Sequence, residues 1–333
     1  MTTLTSPHDL LAAIPFLVGY KPEDSIILIS LHEDSIHMAI RVDFPSQISE
    51  PDIALLMKHL QRDNAERVIA VFYLPPKVSE SHSVIQQITK AISQLPLTLI
   101  ESIIVKENRW RSLICNDLEC CPALGNPMPD IASSRVAVEQ IAQGKPLPFR
   151  NAAELVDSIS SLPVDENLIE LISSIPKIDY ETNPLPQQRE GAEAVIDFIA
   201  DFTAEGLSRD KRLIALVLIR LQDLQVRDFA LGSVTNETLE TYFDAWRWLL
   251  RVAPAGYAAP VANLLAAVAY EKGDGALAHR ALDRAEQDNP EYAMTKLLRE
   301  VFSSGWSPSS FAVMRSELHP RICDAIFSGN INS

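Results

Sequence analysis

The sequence predicts an α/β N-terminal domain, with a mixed, partly parallel sheet and flanking helices, followed by an all-α C-terminal domain. Three observations predict it. Apolar runs of strand length, closed by prolines or polar turns, occur up to about residue 115. Segments of helical period stand between those runs, as in a sheet with crossover helices. From Gln187 onward the pattern is helical throughout. A chain of 333 residues also exceeds the size at which one core usually suffices. The expected division is an α/β domain over 1–130, a helical bridge and linker over 131–186, and a helical domain over 187–330.

Ser6-Pro-His-Asp-Leu-Leu-Ala-Ala-Ile reads as a helix start, with Ser6 as N-cap, Pro7 at the first helical position and Asp9 favouring the positive end of the dipole. Pro15 is expected to end that helix. Phe16–Ser25 is then a turn-rich connector punctuated by Gly19 and Pro22. Ile26–Leu31 is continuously apolar, the mark of a strand buried on both faces, and Ile36–Phe44 follows as the second arm of a hairpin. Pro51–Asn64 repeats apolar residues at helical spacing. Arg67–Leu74 is a buried strand closed by Pro75-Pro76, and Val84–Leu95 is a second helix. Leu97–Val105 and Arg111–Cys115 are two further strands about a turn at Glu107-Asn108.

Asn126–Pro129 reads as a loop and Ser134–Gln143 as a helix. Ala152–Ser161 and Glu166–Ile175 are short helices before the proline-punctuated stretch 176–186. Helices are expected near 187–204, 210–223, 237–252, 260–272, 276–288, 291–303 and 308–318. Ala262, Leu265, Ala266, Ala269, Ala278, Leu282, Ala285 and Pro290 fall at the packing positions of a tetratricopeptide-like helical hairpin turned by Gly273-Asp-Gly275. No second copy follows, so a repeat array is not expected.

The net charge of −15 lacks the basic footprint that duplex binding needs, and nucleic acid is not an expected partner. Leu213–Ile219 and Ala258–Tyr270 are too short for a membrane span, which takes roughly 18 apolar residues, so no membrane association is expected. The N-terminus carries Asp9 and no basic stretch, unlike a secretory signal. With four cysteines in so long a chain, reduced thiols in the cytoplasm are the expectation.

Three of those cysteines, Cys115, Cys120 and Cys121, stand close together. A closed zinc site takes four ligands, and adjacent residues of an extended chain point apart, so neither metal nor cofactor is expected. A reactive thiol would need a cationic neighbour, whereas Asp117 and Glu119 are closest in sequence. Packing of a turn by small apolar side chains is the leading reading, with a thiol-based or small-ligand sensor as the alternative.

The second candidate is the connector into the first strand. Tyr20, Asp24 and Ser25, with Arg41 and Asp43 on the next strand, could present polar groups at a sheet end, where α/β proteins bind ligands. The competing reading is that Asp24 and Ser25 only satisfy backbone groups of the turn. None of the G-x-S-x-G, Walker A, G-x-G-x-x-G or H-E-x-x-H patterns occurs, so no catalytic motif assigns an enzyme.

Taken together, Leu4–Ser25 with Arg41-Val-Asp-Phe-Pro45, Trp110 through Cys120-Cys-Pro122, and Val226-Arg-Asp228 with Ala266–Ala285 resemble an actinobacterial protein family of unknown function. The resemblance implies a fold and carries over no catalytic residues. The expected role is non-catalytic binding or scaffolding, in which the helical domain meets a protein partner. The alternatives are a small-molecule enzyme using Asp24 and Ser25 at the sheet end, and the cysteine-centred sensor.

Overall fold

Ser6 starts the first helix, α1 (Pro7–Val18), by accepting a hydrogen bond from the Asp9 amide at 3.2 Å, and Pro7 fills the first turn. The expectation that Pro15 ends this helix is corrected. Pro15 lies inside it, buried, and the helix runs on to Val18, closed by Gly19 with φ 82°. An interior proline costs one backbone hydrogen bond; here Leu10, Leu11, Ile14 and Val18 bury a whole apolar stripe in exchange.

The computed structural model describes residues 4–33, 35–62 and 65–327. It divides into two units, Met1–Glu154 and Leu155–Ser333.

In the first unit, β1 (Ser25–His32) and β2 (Ser35–Asp43) form the expected hairpin. Then come α2 (Glu50–Arg62), β3 (Arg67–Tyr73), α3 (Ser83–Ser93), β4 (Thr98–Lys106), β5 (Arg109–Ser112) and β6 (Asn126–Pro127). The sheet order is β2-β1-β3-β4-β5-β6. Among the described strands of this sheet, β3 and β4 pair in parallel across the α3 crossover, and the other neighbouring pairs are antiparallel. Because β1 runs against both its neighbours, β2, β3 and β4 share one direction and end together.

The continuous apolar run of β1 is explained by two covers. Ile27, Ile29 and Leu31 pack with α1 on one face, and Ile26 and Leu28 pack with α2 and α3 on the other. Each such side chain, fully removed from water, contributes roughly 1.5–3 kcal/mol. The helix α4 (Arg135–Ala142), capped by Ser134, lies against α1 through Val136 with Ala12 and Ala13.

Two local expectations change here. The strand placed over Arg111–Cys115 ends at Ser112, because the Ser112 hydroxyl takes the amides of Ile114 and Cys115 (3.1 and 3.0 Å) out of the ladder. Asn126-Pro127, expected as loop, pairs with β5 as the short strand β6.

The second unit holds α5 (Ala152–Asp157, begun in the first), α6 (Glu166–Ser174), α7 (Leu185–Glu205), α8 (Lys211–Arg220), α9 (Leu224–Gly232) and α10 (Leu239–Val252). It continues with α11 (Ala258–Glu271), α12 (Gly275–Asp288), α13 (Ala293–Ser303) and α14 (Pro308–Phe327). The helix α9 was not expected. Asp223 creates it by accepting from the amides of Gln225 and Val226 (2.8 and 3.0 Å), restarting the chain after α8. A proline again sits inside a helix at Pro320, so α14 runs beyond the expected end near 318. α11 and α12 pack as a hairpin linked through Gly273, φ 82°. Buried Arg315 pairs with buried Glu271 at 2.6 Å and also donates to the carbonyls of Gly232 and Val234. Among the described residues, no helix is long and apolar enough to cross a membrane.

Candidate functional site

Strand register places one residue from each strand in a single row across the end of the sheet. Asp43 of β2 stands opposite Ser25 of β1, Ser25 opposite Tyr73 of β3, and Tyr73 opposite Val105 of β4. Val105 stands opposite Trp110 of β5, and Trp110 opposite Asn126 of β6. Directly paired residues project to the same face, and Tyr73, Val105 and Trp110 belong to the cluster under α1. The row therefore lies on the α1 face, where β2, β3 and β4 end.

Three of its side chains bury their polar atoms. Ser25 is 0% exposed, Tyr73 5% and Trp110 4%, yet Ser25 Oγ, the Tyr73 hydroxyl and Trp110 Nε1 have no hydrogen-bond partner among the described residues. Arg41, opposite Ile27 on the same face, adds a buried Nε in the same condition. Burial pushes the Tyr73 phenol far above its ordinary pKa, so it keeps its proton and can donate.

The other candidates of the connector surround this row. Arg41 binds the exposed Asp43 carboxylate at 2.5 Å, and its Cζ lies 5.8 Å from the centre of the Tyr20 ring. Buried Tyr20 is held by a short parallel bridge to Phe149, in which Lys21 N donates to Phe149 O and Phe149 N to Gly19 O, both at 2.9 Å. Asp24 takes a different place. It is exposed, its backbone is left-handed at φ 41°, and its carbonyl accepts from the Phe44 amide at 2.8 Å. Tyr20, Ser25, Arg41 and Asp43 are thus brought together, while Asp24 shapes the turn. Tyr73 and Trp110 were not singled out from the sequence. Their signal was an aromatic residue with a polar tip at the edge of an apolar strand run.

The cysteines occupy the turn between β5 and β6. The Cys121 amide donates to Asp117 O at 2.7 Å, folding the turn back on itself. Asp117 Oδ1 accepts from the Glu119 amide, and Asn126 Nδ2 donates to the Cys120 carbonyl, both at 2.9 Å. Gly125, at φ 71°, closes the turn against β5. A Cβ there would lie 2.9 Å from Trp110 O, and its carbonyl accepts from Arg109 at 2.8 Å. Cys121 is buried in the α1-side cluster, Cys115 packs against it, and Cys120 is exposed. All three are free thiols whose Sγ atoms lie within 4.8 Å of one another. The hydrogen bond and charge of Cys121, then those of Cys115, push Cys120 up to about 11, so it is not a ready thiolate nucleophile at neutral pH.

A family model described as a domain of unknown function, DUF4192, matches residues 7–309. The chain belongs to the DUF4192 family. The match takes in both the row of polar side chains and the cysteine turn of this DUF4192 chain, and it assigns neither a role. Comparison with curated proteins gives no match, and comparison with solved structures gives none.

Proposed function

We propose that the N-terminal unit binds a small ligand rich in oxygen acceptors, an organic anion foremost, at the sheet end on the α1 face. The observation that carries this reading is the row itself, with Ser25 Oγ, the Tyr73 hydroxyl and Trp110 Nε1, like Arg41 Nε on the same face, buried and without a partner among the described residues. A buried polar group without a partner costs about 1–3 kcal/mol, and native proteins keep few of them. Four on one face at one end of one sheet are accounted for together when a ligand accepts from them. Trp and Arg nitrogens only donate, and the two hydroxyls can donate, so a carboxylate or phosphate oxygen is the complementary group. The position, beyond the carboxyl ends of parallel strands, is where open α/β sheets take their ligands.

Binding rather than a reaction is what this geometry supports. Among the described residues no base is bonded to Ser25, as a nucleophile requires, and the Asp24 carboxylate stands exposed in the turn. The reading in which the helical unit offers a surface to a protein partner has less behind it. The exposed Ile196, Leu224, Leu297 and Val313 are spread over four helices, and singly exposed apolar residues are ordinary. Thiol-based sensing has less behind it, because Cys121 and then Cys115 raise the pKa of Cys120, the exposed thiol of the three.

Thermal shift of the full chain with a panel of small carboxylates and organic phosphates tests the proposal. At least one member should raise the melting temperature of the wild type, and Ser25→Ala and Tyr73→Phe should each reduce that rise. A panel without effect, together with ordered water bonded to all four atoms in a crystal, overturns it.

A further inference from the structure

We propose that Cys115, Cys120 and Cys121 form a three-thiolate site for a soft metal ion. The sequence argues against joint ligation only if residues 120 and 121 are extended. They are not: the Asp117–Cys121 hydrogen bond turns the backbone, and all three Sγ atoms fall within 4.8 Å of one another. Three thiolates around one ion at a metal–sulfur distance of about 2.3 Å sit about 4 Å apart. The observed triangle therefore closes on an ion by sub-ångström side-chain motion.

The turn is held independently of any ion. Ser112 Oγ accepts from Ile114 N and Cys115 N while donating to Glu101 Oε1 at 2.6 Å, which fixes the first thiol. Asn126 holds Cys120 through its carbonyl, and burial in the α1-side cluster holds Cys121. This is the supporting shell that ligating side chains need to stay in place. Cys120, being exposed, leaves the triangle reachable from solvent.

Ligand chemistry selects the ion. Three sulfur ligands favour soft cations over calcium or magnesium, which take oxygen. No His, Asp or Glu atom joins the group among the described residues. The site accordingly suits monovalent copper in three-coordinate form, or zinc with its fourth position open to water or a small molecule. Binding an ion displaces the thiol protons to solvent and leaves the metal's oxidation state unchanged, so no electron donor or acceptor is needed.

The test uses the full chain, reduced and handled without oxygen. It is titrated with copper(I) against a chromophoric chelator, and separately with cobalt(II) as a probe of the zinc arm. One equivalent should bind in at least one arm, with three of the four thiols protected from an alkylating reagent. Cys120→Ser should lower affinity at least tenfold with an unchanged melting temperature, because that side chain is exposed. Cys323→Ser, and Ser25→Ala from the ligand row, should leave metal binding unchanged, which keeps this result separate from that of the ligand proposal. Thiols that react no more slowly with metal than without it in both arms, or equal binding by Cys120→Ser, overturns the site.

Discussion

Ser25 and Tyr73 are register partners across β1 and β3, both buried, and neither hydroxyl has a hydrogen-bond partner among the described residues. Paired strand residues hold their Cβ atoms about 5 Å apart, which sets these two side chains next to each other on one face of the sheet. Their side chains also share a face with Arg41 and Trp110, whose Nε and Nε1 atoms likewise have no hydrogen-bond partner among the described residues.

If Ser25 awaits a ligand, Ser25→Ala removes a desolvated hydroxyl without removing a bond. The melting temperature of the ligand-free variant should match or exceed the wild type. A loss of more than about 1 kcal/mol by denaturant titration contradicts this, because it means that the hydroxyl is bonded in the folded protein.

Asp9 joins α1 to α4. Its carboxylate accepts from the amide and hydroxyl of Thr5 (3.0 and 2.7 Å) and from Arg135 at 2.8 Å. The Thr5 amide chiefly, then the Thr5 hydroxyl and Arg135, lower its pKa from 3.8 to about 2 against the opposing effect of burial. A lowered folded pKa stabilises the protein above the unfolded value, and that stabilisation is lost as pH falls through the folded value. Asp9→Asn should therefore lower stability at pH 7 and flatten the fall in stability between about pH 4 and pH 2. An unchanged acid profile in urea titrations at stepped pH contradicts the assignment.

Gly125→Ala should destabilise the first unit by more than about 1 kcal/mol, since alanine is strained at positive φ and its Cβ would press on Trp110 O. Thermal unfolding followed by tryptophan fluorescence measures this, and wild-type stability in the variant would show that the turn relaxes freely.

Glu107 and Asn108, at φ 49° and 61°, form the two-residue turn between β4 and β5 in left-handed conformation throughout. Asn108→Gly should raise stability by a few tenths of a kcal/mol, and Asn108→Val should lower it by about 1–2 kcal/mol. Equal stability of the two variants contradicts that turn.

Glu271→Ala should cost about 3–5 kcal/mol, because it strands the Arg315 guanidinium in the core of the helical unit. Replacing both residues by apolar ones of similar volume should recover most of the loss. A single variant as stable as wild type would show that Arg315 finds another partner.

Much of this structure is legible one segment at a time. The apolar run Ile26–Leu31 announces a strand covered on both sides, Pro75-Pro76 closes another, and Ser6 caps the helix it precedes. Local signals mislead where packing outweighs them. Pro15 and Pro320 are carried inside helices by the apolar surface those helices bury, and Ser112 diverts two amides from the ladder. The site is less legible because it depends on register. Arg41, Asp43 and Ser25 share one hairpin and were open to inspection, whereas Tyr73 and Trp110 join them only once five strands are aligned. The nearness of the three thiols likewise depends on a turn that the spacing of the cysteines does not specify.

A high-resolution crystal structure of the chain, soaked with the panel members that raise its melting temperature, addresses the ligand proposal most directly. The expected result is density for a carboxylate or phosphate within hydrogen-bond distance of at least two among Ser25 Oγ, the Tyr73 hydroxyl, Trp110 Nε1 and Arg41 Nε. Density showing only ordered water on these atoms, or the ligand bound elsewhere, would contradict it.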